Sequence, residues 1–93
     1  MRYHLLLREE VKQEIALVYD WYENQSAGLG DEFLNELEKA LNLIETKPKY
    51  FGFINQSQRR LVLKKFPYKI IYEIFNGEIA IFTVRHSKQK DKS

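Results

Sequence analysis

The spacing of apolar residues changes three times along the chain, and each spacing predicts an element. Residues 2–7 form a short apolar run that ends in Leu5, Leu6 and Leu7 and predicts a first strand. From Glu9 to Asn24 the period turns helical, because at about 100° per residue Val11, Ile15, Val18 and Tyr22 share one arc. Tyr19 flanks that arc on one side and Trp21 on the other, while Glu9 and Glu10 occupy the first turn, where the helix dipole favours negative charge. The segment Asn24-Gln25-Ser26-Ala27-Gly28-Leu29-Gly30 breaks this helix, with Ser26 or Asp31 as N-cap of the next. Phe33, Leu37, Ala40 and Ile44 then share a second arc, widened by Leu34 and Leu41, until Pro48 ends the helix near Thr46. The short connection makes the two helices an antiparallel hairpin. Residues 49–58 read as a loop whose aromatics Tyr50, Phe51 and Phe53 are expected to plug the edge of the core.

In the last third the period drops to two. Asn76-Gly77 between β-branched and aromatic runs predicts a two-residue hairpin. Its register places Phe75 opposite Glu78, Ile74 opposite Ile79, Tyr72 opposite Ile81, Ile70 opposite Thr83 and Lys69 opposite Val84. A second two-residue turn at Phe66-Pro67 is expected to set Lys64 against Lys69, Leu63 against Ile70 and Arg60 against Glu73. Alternation then sorts the strands into two faces. Leu61, Leu63, Tyr68, Ile70, Tyr72, Ile74, Ile79, Ile81 and Thr83 form an apolar face that takes the helical hairpin. Arg60, Val62, Lys64, Lys69, Ile71, Glu73, Phe82, Val84 and His86 form a mixed, basic face with no helix to cover it. The reading is an α+β domain with a largely antiparallel four-stranded sheet, a helical hairpin on one face and the order β-α-α-β-β-β.

Composition narrows this picture. Ninety-three residues, 44% hydrophobic and 30% charged, fit one small globular domain and not a disordered or collagen-like chain. The absence of cysteine excludes disulfides, thiolate metal sites and a Cys nucleophile. No signal peptide or membrane span is expected, so the chain reads as a soluble, cytoplasmic protein. Charge is unevenly divided: residues 1–58 carry 6 basic and 10 acidic side chains, whereas residues 59–93 carry 9 and 3. A basic C-terminal third points to an anion, either nucleic acid or an acidic protein. Lys64 beside Lys69 is destabilising by up to about 1 kcal/mol unless such a partner supplies counter-charge. The polar tail from Ser87 to Ser93 is expected to fray.

Tyr19-Asp20-Trp21-Tyr22-Glu23, Gly28-Leu29-Gly30-Asp31-Glu32-Phe33-Leu34, Arg59-Arg60, Phe66-Pro67-Tyr68-Lys69-Ile70-Ile71-Tyr72 and Val84-Arg85-His86-Ser87-Lys88 follow in this order. Together they resemble the RelE/ParE family of toxins from bacterial type II toxin–antitoxin modules, which includes plasmid stabilisation proteins. The resemblance covers nearly the whole chain and implies a single toxin domain over residues 1–93. It also implies an acidic antitoxin as partner, in a toxin–antitoxin hetero-oligomer.

The family holds ribosome-dependent mRNA nucleases, DNA gyrase poisons and members of doubtful toxicity. The nuclease branch implies a metal-independent mRNA interferase without cofactor, with Arg60, Lys69 and His86 as catalytic residues. Lys64, Arg85, Lys88 and Lys90 are then its RNA-binding cations. His86 is the natural proton carrier at neutral pH, and the cations stabilise the charged phosphorane. One departure is that residues 87–93 contain no aromatic side chain, which several nuclease members place near the C-terminus. A gyrase poison without nuclease activity and a non-toxic protein-binding relative are the alternatives. His4 is expected to be structural.

Overall fold

The computed structural model describes residues 3–90. Its elements are β1 (His4–Leu7), α1 (Glu9–Gln25), α2 (Leu29–Thr46), β2 (Gln58–Val62), β3 (Tyr68–Phe75) and β4 (Glu78–His86). One sheet runs in the order β1-β4-β3-β2, with β1 parallel to β4 and the other two pairs antiparallel. The expected α+β architecture is the observed one. Of the first strand expected over residues 2–7, His4–Leu7 is strand and residue 2 lies outside the described residues.

Both predicted arcs face the core. Val11 and Tyr22 of α1 are buried, as are Phe33, Leu37, Ala40 and Ile44 of α2. They pack against Leu61, Leu63, Ile70, Tyr72, Ile79, Ile81 and Val84 on one side of the sheet. Phe33 is at the centre, with ring centroids 5.7 Å from Tyr22, 5.6 Å from Phe66 and 5.6 Å from Tyr68.

The joint between the helices differs from expectation. Ser26 does not cap α2; it closes α1, its N–H donating to the Tyr22 carbonyl at 3.1 Å. The cap of α2 comes from the preceding helix. The Glu23 carboxylate accepts the N–H groups of Gly28 and Gly30, each at 2.9 Å. Two orphan amides are satisfied, and a negative charge sits at the positive end of the dipole. The close approach requires glycine at position 30, where a Cβ would lie 2.8 Å from both the Tyr19 ring and the Glu23 carboxylate. The carboxylates of Asp31 and Glu23 push the Tyr19 phenol up.

Two side chains pin the connection from α2 to β2. Arg59 donates to the carbonyls of Lys49 (3.1 Å) and Phe51 (2.7 Å), and its guanidinium lies 3.8 Å over the Phe53 ring. Phe51 packs on the core as expected. Tyr50 and Phe53 do not plug the core edge, being 78% and 58% exposed.

The buried Tyr72 hydroxyl donates to the Pro48 carbonyl at 2.5 Å. Burial pushes the Tyr72 phenol up to about 12, with the Arg59 charge pulling the other way. Its folded pKa exceeds the unfolded value of about 10, so its contribution is intact below about pH 10. That contribution is lost as pH rises toward about 12. The wild-type chain is expected to lose about 2 kcal/mol over this window from Tyr72 alone. Tyr72→Phe is expected to cost about 1 kcal/mol at neutral pH and to flatten that alkaline loss. Urea denaturation of both chains at about pH 8 and about pH 11 checks this, and equal alkaline slopes refute it.

The strand ladders decide what the open side of the sheet presents. Asn76 (φ 51°) and Gly77 (φ 75°) make the expected turn, and Phe75/Glu78, Ile74/Ile79 and Tyr72/Ile81 pair as expected. Beyond them the register shifts: Ile71 faces Thr83, Ile70 faces Val84 and Lys69 faces Arg85. The expected pairs Ile70/Thr83 and Lys69/Val84 are corrected, because Phe82 is an extra residue in a β-bulge. An extra residue inverts the facing of everything after it. Thr83 and Arg85 therefore turn to the open side, and Val84 and His86 to the helix side.

The pairing of β2 with β3 is corrected as well. Val62 faces Lys69, Leu61 faces Ile70 and Arg60 faces Ile71, an offset of two residues. An even offset keeps the faces, so Leu61 is still inward and Arg60 outward. It separates Lys64 from Lys69.

Candidate functional site

β1 pairs with β4 only as far as Leu7/Ile81, where the chain turns into α1. The outer edge of β4 past that point needs another partner. Glu14, one turn into α1, supplies it. Its carboxylate accepts the Val84 N–H at 3.0 Å and the Thr83 hydroxyl at 2.9 and 3.0 Å. A helical carboxylate thus continues the hydrogen bonding that β1 gives up. The position had no signal in the sequence, because Glu14 sits beside the core arc and its partners are seventy residues away.

At this end of the sheet Lys69 and Arg85 stand directly opposite each other. Like charges do meet on the open face, though not the pair expected. The chain's own C-terminal segment supplies both with carbonyl acceptors. The Lys69 ammonium donates to the carbonyls of Ser87 (3.4 Å) and Gln89, and Arg85 donates to the Lys90 carbonyl at 3.2 Å. Lys69 is only 3% exposed. Residues 87–90 meet these side chains through their carbonyls, and the rest of the tail lies outside the described residues.

His86 anchors this segment from the other side. Its ring meets Tyr68 edge-on at 5.3 Å, its N–H donates to the Gln89 side-chain oxygen at 3.0 Å, and its Nδ1 accepts the Lys88 N–H at 3.1 Å. The ring lines a shallow recess with Leu17 and Val18 of α1, on the helix side of the sheet.

The expected trio Arg60, Lys69 and His86 is thus not assembled on one face. Arg60 is exposed on the open face, Lys69 is buried beneath the tail and His86 lies across the sheet. Of the expected anion contacts, Lys64, Lys88 and Lys90 are exposed, and Arg85 is half-buried with its Nε 3.4 Å from the Thr83 hydroxyl.

The middle of the open face is aromatic and mixed in charge. A depression of about 230 Å³ is lined by Arg8, Gln58, Glu73, Phe75, Ala80 and Phe82. It falls below the roughly 300 Å³ where small-molecule sites begin. Phe75 and Phe82 stand exposed at its rim, beside Leu6 on β1. Exposed aromatics around a shallow depression suit a protein contact better than an enclosed ligand. Among the described residues no helix is long and apolar enough to cross a membrane.

The model of the family described as the ParE toxin of the type II toxin–antitoxin system parDE matches residues 5–91. The chain belongs to the ParE toxin family. No curated protein matches it closely. Among solved structures, it is similar to a chain of the chromosomal ParDE toxin–antitoxin system from P. aeruginosa. The TM-score is 0.80 at 12% identity, covering 90% of this chain and 95% of that one. It is also similar to a mutant of the E. coli toxin RelE in the free state. There the TM-score is 0.63 at 14% identity, over 95% of this chain and 86% of the other. At these identities the likeness is one of fold. Membership in the ParE toxin family makes the chain the toxin half of a toxin–antitoxin pair, with an antitoxin as its partner.

Proposed function

We infer that this ParE family toxin arrests growth without cutting RNA, through a protein contact on a cytoplasmic target, DNA gyrase. The observation that carries this reading is the bulge at Phe82, which sends His86 to the helix side while Lys69 is covered by residues 87–90. General acid–base cleavage of RNA needs a proton carrier and phosphate-binding cations within hydrogen-bond reach of one nucleotide. Here the carrier is divided by the sheet from Arg60 and Lys69, and only Arg85 reaches the recess that His86 lines. The match to the ParE family, and the aromatic rim of Phe75 and Phe82 on the open face, favour a contact surface over a catalytic one.

Controlled expression in cells is expected to arrest growth while primer extension on total RNA shows no new 5′ ends. His86→Ala is expected to arrest growth as fully as wild type. Purified protein is expected to inhibit supercoiling by gyrase and to trap cleaved DNA. Specific RNA ends that vanish in His86→Ala overturn this reading in favour of mRNA cleavage. Absence of growth arrest at wild-type expression favours a non-toxic protein-binding relative.

A further inference from the structure

One row of residues crosses the whole sheet at the open-face depression. Gln58, Glu73, Ala80 and Leu6 are successive register partners on β2, β3, β4 and β1. Side chains directly opposite on neighbouring strands stand about 5 Å apart, so the smallest of the row sets the floor. That residue is Ala80. Phe75 and Phe82 form exposed walls, and Arg8 stands on the rim.

Two polar groups in this row have bonding capacity left over. Gln58 is only 6% exposed. Its amide is oriented by Asn55, whose Oδ1 accepts the N–H groups of Ser57 (2.9 Å) and Gln58 (2.8 Å). Asn55 therefore turns its Nδ2 to Gln58, which accepts with Oε1 at 3.0 Å. The Gln58 Nε2 keeps two protons and, among the described residues, has no acceptor for them. Glu73 beside it is half-buried, and among the described residues its carboxylate takes no hydrogen bond or ion pair. A buried donor and a half-buried acceptor without partners cost free energy until something polar completes them.

An occupant has to satisfy both. It lies flat and apolar against Phe75, Phe82 and Ala80, accepts from Gln58 and donates to Glu73. A phenol does both through one oxygen, whereas an indole only donates and leaves Gln58 unmatched. A phenyl ring or an aliphatic chain leaves both groups unmatched. An acidic side chain meets the Glu73 charge; a basic one meets Arg8 on the rim and offers Gln58 no acceptor. Tyrosine is also among the residues that most often anchor protein contacts. At about 230 Å³ the depression holds one such ring and not a larger ligand.

We propose that the depression over Ala80 takes a tyrosine side chain of a partner protein. The ring packs against Phe75 and Phe82, and the hydroxyl donates to the Glu73 carboxylate while accepting from Gln58 Nε2. Identifying that partner as gyrase rests on the toxin reading; the depression and its chemistry do not.

The test uses the full chain, ¹⁵N-labelled, with N-acetyl-tyrosine amide and N-acetyl-phenylalanine amide as probes. They differ by one hydroxyl. The side-chain NH₂ resonances of Gln58 report directly on the site. The tyrosine probe is expected to bind in about the millimolar range and to shift those resonances. The phenylalanine probe is expected to bind about tenfold more weakly, the loss that goes with a hydrogen bond to a charged group. Glu73→Leu is expected to bring the two probes within about twofold of each other, a loss of selectivity that a merely disturbed fold does not produce. Ala80→Leu, which fills the floor, is expected to weaken the tyrosine probe about tenfold and serves if Glu73→Leu fails to fold.

Equal binding of the two probes by the wild-type chain, or an unmoved Gln58 amide at about 10 mM tyrosine probe, overturns the proposal. So does a shift of that amide with protein concentration in the absence of probe, which means that a second copy of the chain fills the depression. Growth arrest and gyrase inhibition are read separately. A chain that binds the tyrosine probe without arresting growth keeps this inference and removes the toxin reading, and arrest without probe binding does the reverse. Probe binding lost in Ala80→Leu with gyrase inhibition at wild-type strength keeps the site and removes gyrase as its partner.

Discussion

Replacing Phe33 with alanine is expected to cost about 3–5 kcal/mol, most of the stability a domain of this size holds. Phe33 has no exposed surface and touches both helices' partners at once, with Tyr22, Phe66 and Tyr68 around its ring. Those three residues come from α1, the turn before β3 and β3 itself, so none can close the void without moving a different part of the chain. Loss of the edge-to-face contacts adds to the cavity. A drop in Tm of about 15 °C or more, read by thermal melting, is expected at about 4–8 °C per kcal/mol. Phe75→Ala, on the exposed open face, is expected to change stability by less than about 0.5 kcal/mol. A small effect of Phe33→Ala places the core elsewhere.

Gly30→Ala carries the second large effect, and its sign tests which of two forces wins. Alanine is favoured over glycine inside a helix by about 1 kcal/mol. Against that, the new methyl lies 2.8 Å from the Tyr19 ring and the Glu23 carboxylate, and neither can retreat freely. Tyr19 is held on α1, and Glu23 is held by the two amides it caps. Overpacking of this kind costs about 1–3 kcal/mol, so a net loss of up to about 2 kcal/mol is expected by urea denaturation. In Glu23→Ala the carboxylate is gone, and adding Gly30→Ala is expected to cost less than in the wild-type background. A stabilised Gly30→Ala means the helices do not approach as closely as 2.8 Å at this point.

Both predictions concern the helical hairpin, yet function turns on the sheet. There the sequence was legible in proportion to how local its signals were. Asn76-Gly77 fixed the first four pairs of its hairpin, since a two-residue turn leaves no freedom in register. The bulge at Phe82 has no such marker: no glycine or proline stands there, and Ile81-Phe82-Thr83-Val84 reads as unbroken strand. It lies where β1 ends and the Glu14 carboxylate takes over the edge of β4, a junction between residues that are far apart in sequence.

The candidate site inherited that blind spot. Arg60 was placed correctly because an offset of two residues preserves facing, whereas one extra residue reversed His86. Lys69 kept its face but not its exposure, since a polar tail that looked free found carbonyl partners for it. Charge composition could say that the C-terminal third is basic. It could not say that Lys69 and Arg85 are engaged by carbonyls of the chain itself.

By itself, the sequence determined the elements, their order, the two buried helical arcs and the family to which the chain belongs. Each follows from the period of apolar residues, from a turn two residues long, or from motifs spread along the whole chain. Only the tertiary structure decided which cations are available and which side of the sheet His86 occupies. The physical reason is parity: a strand's facing depends on every residue between it and its turn, so a single bulge set by distant packing redirects all that follows.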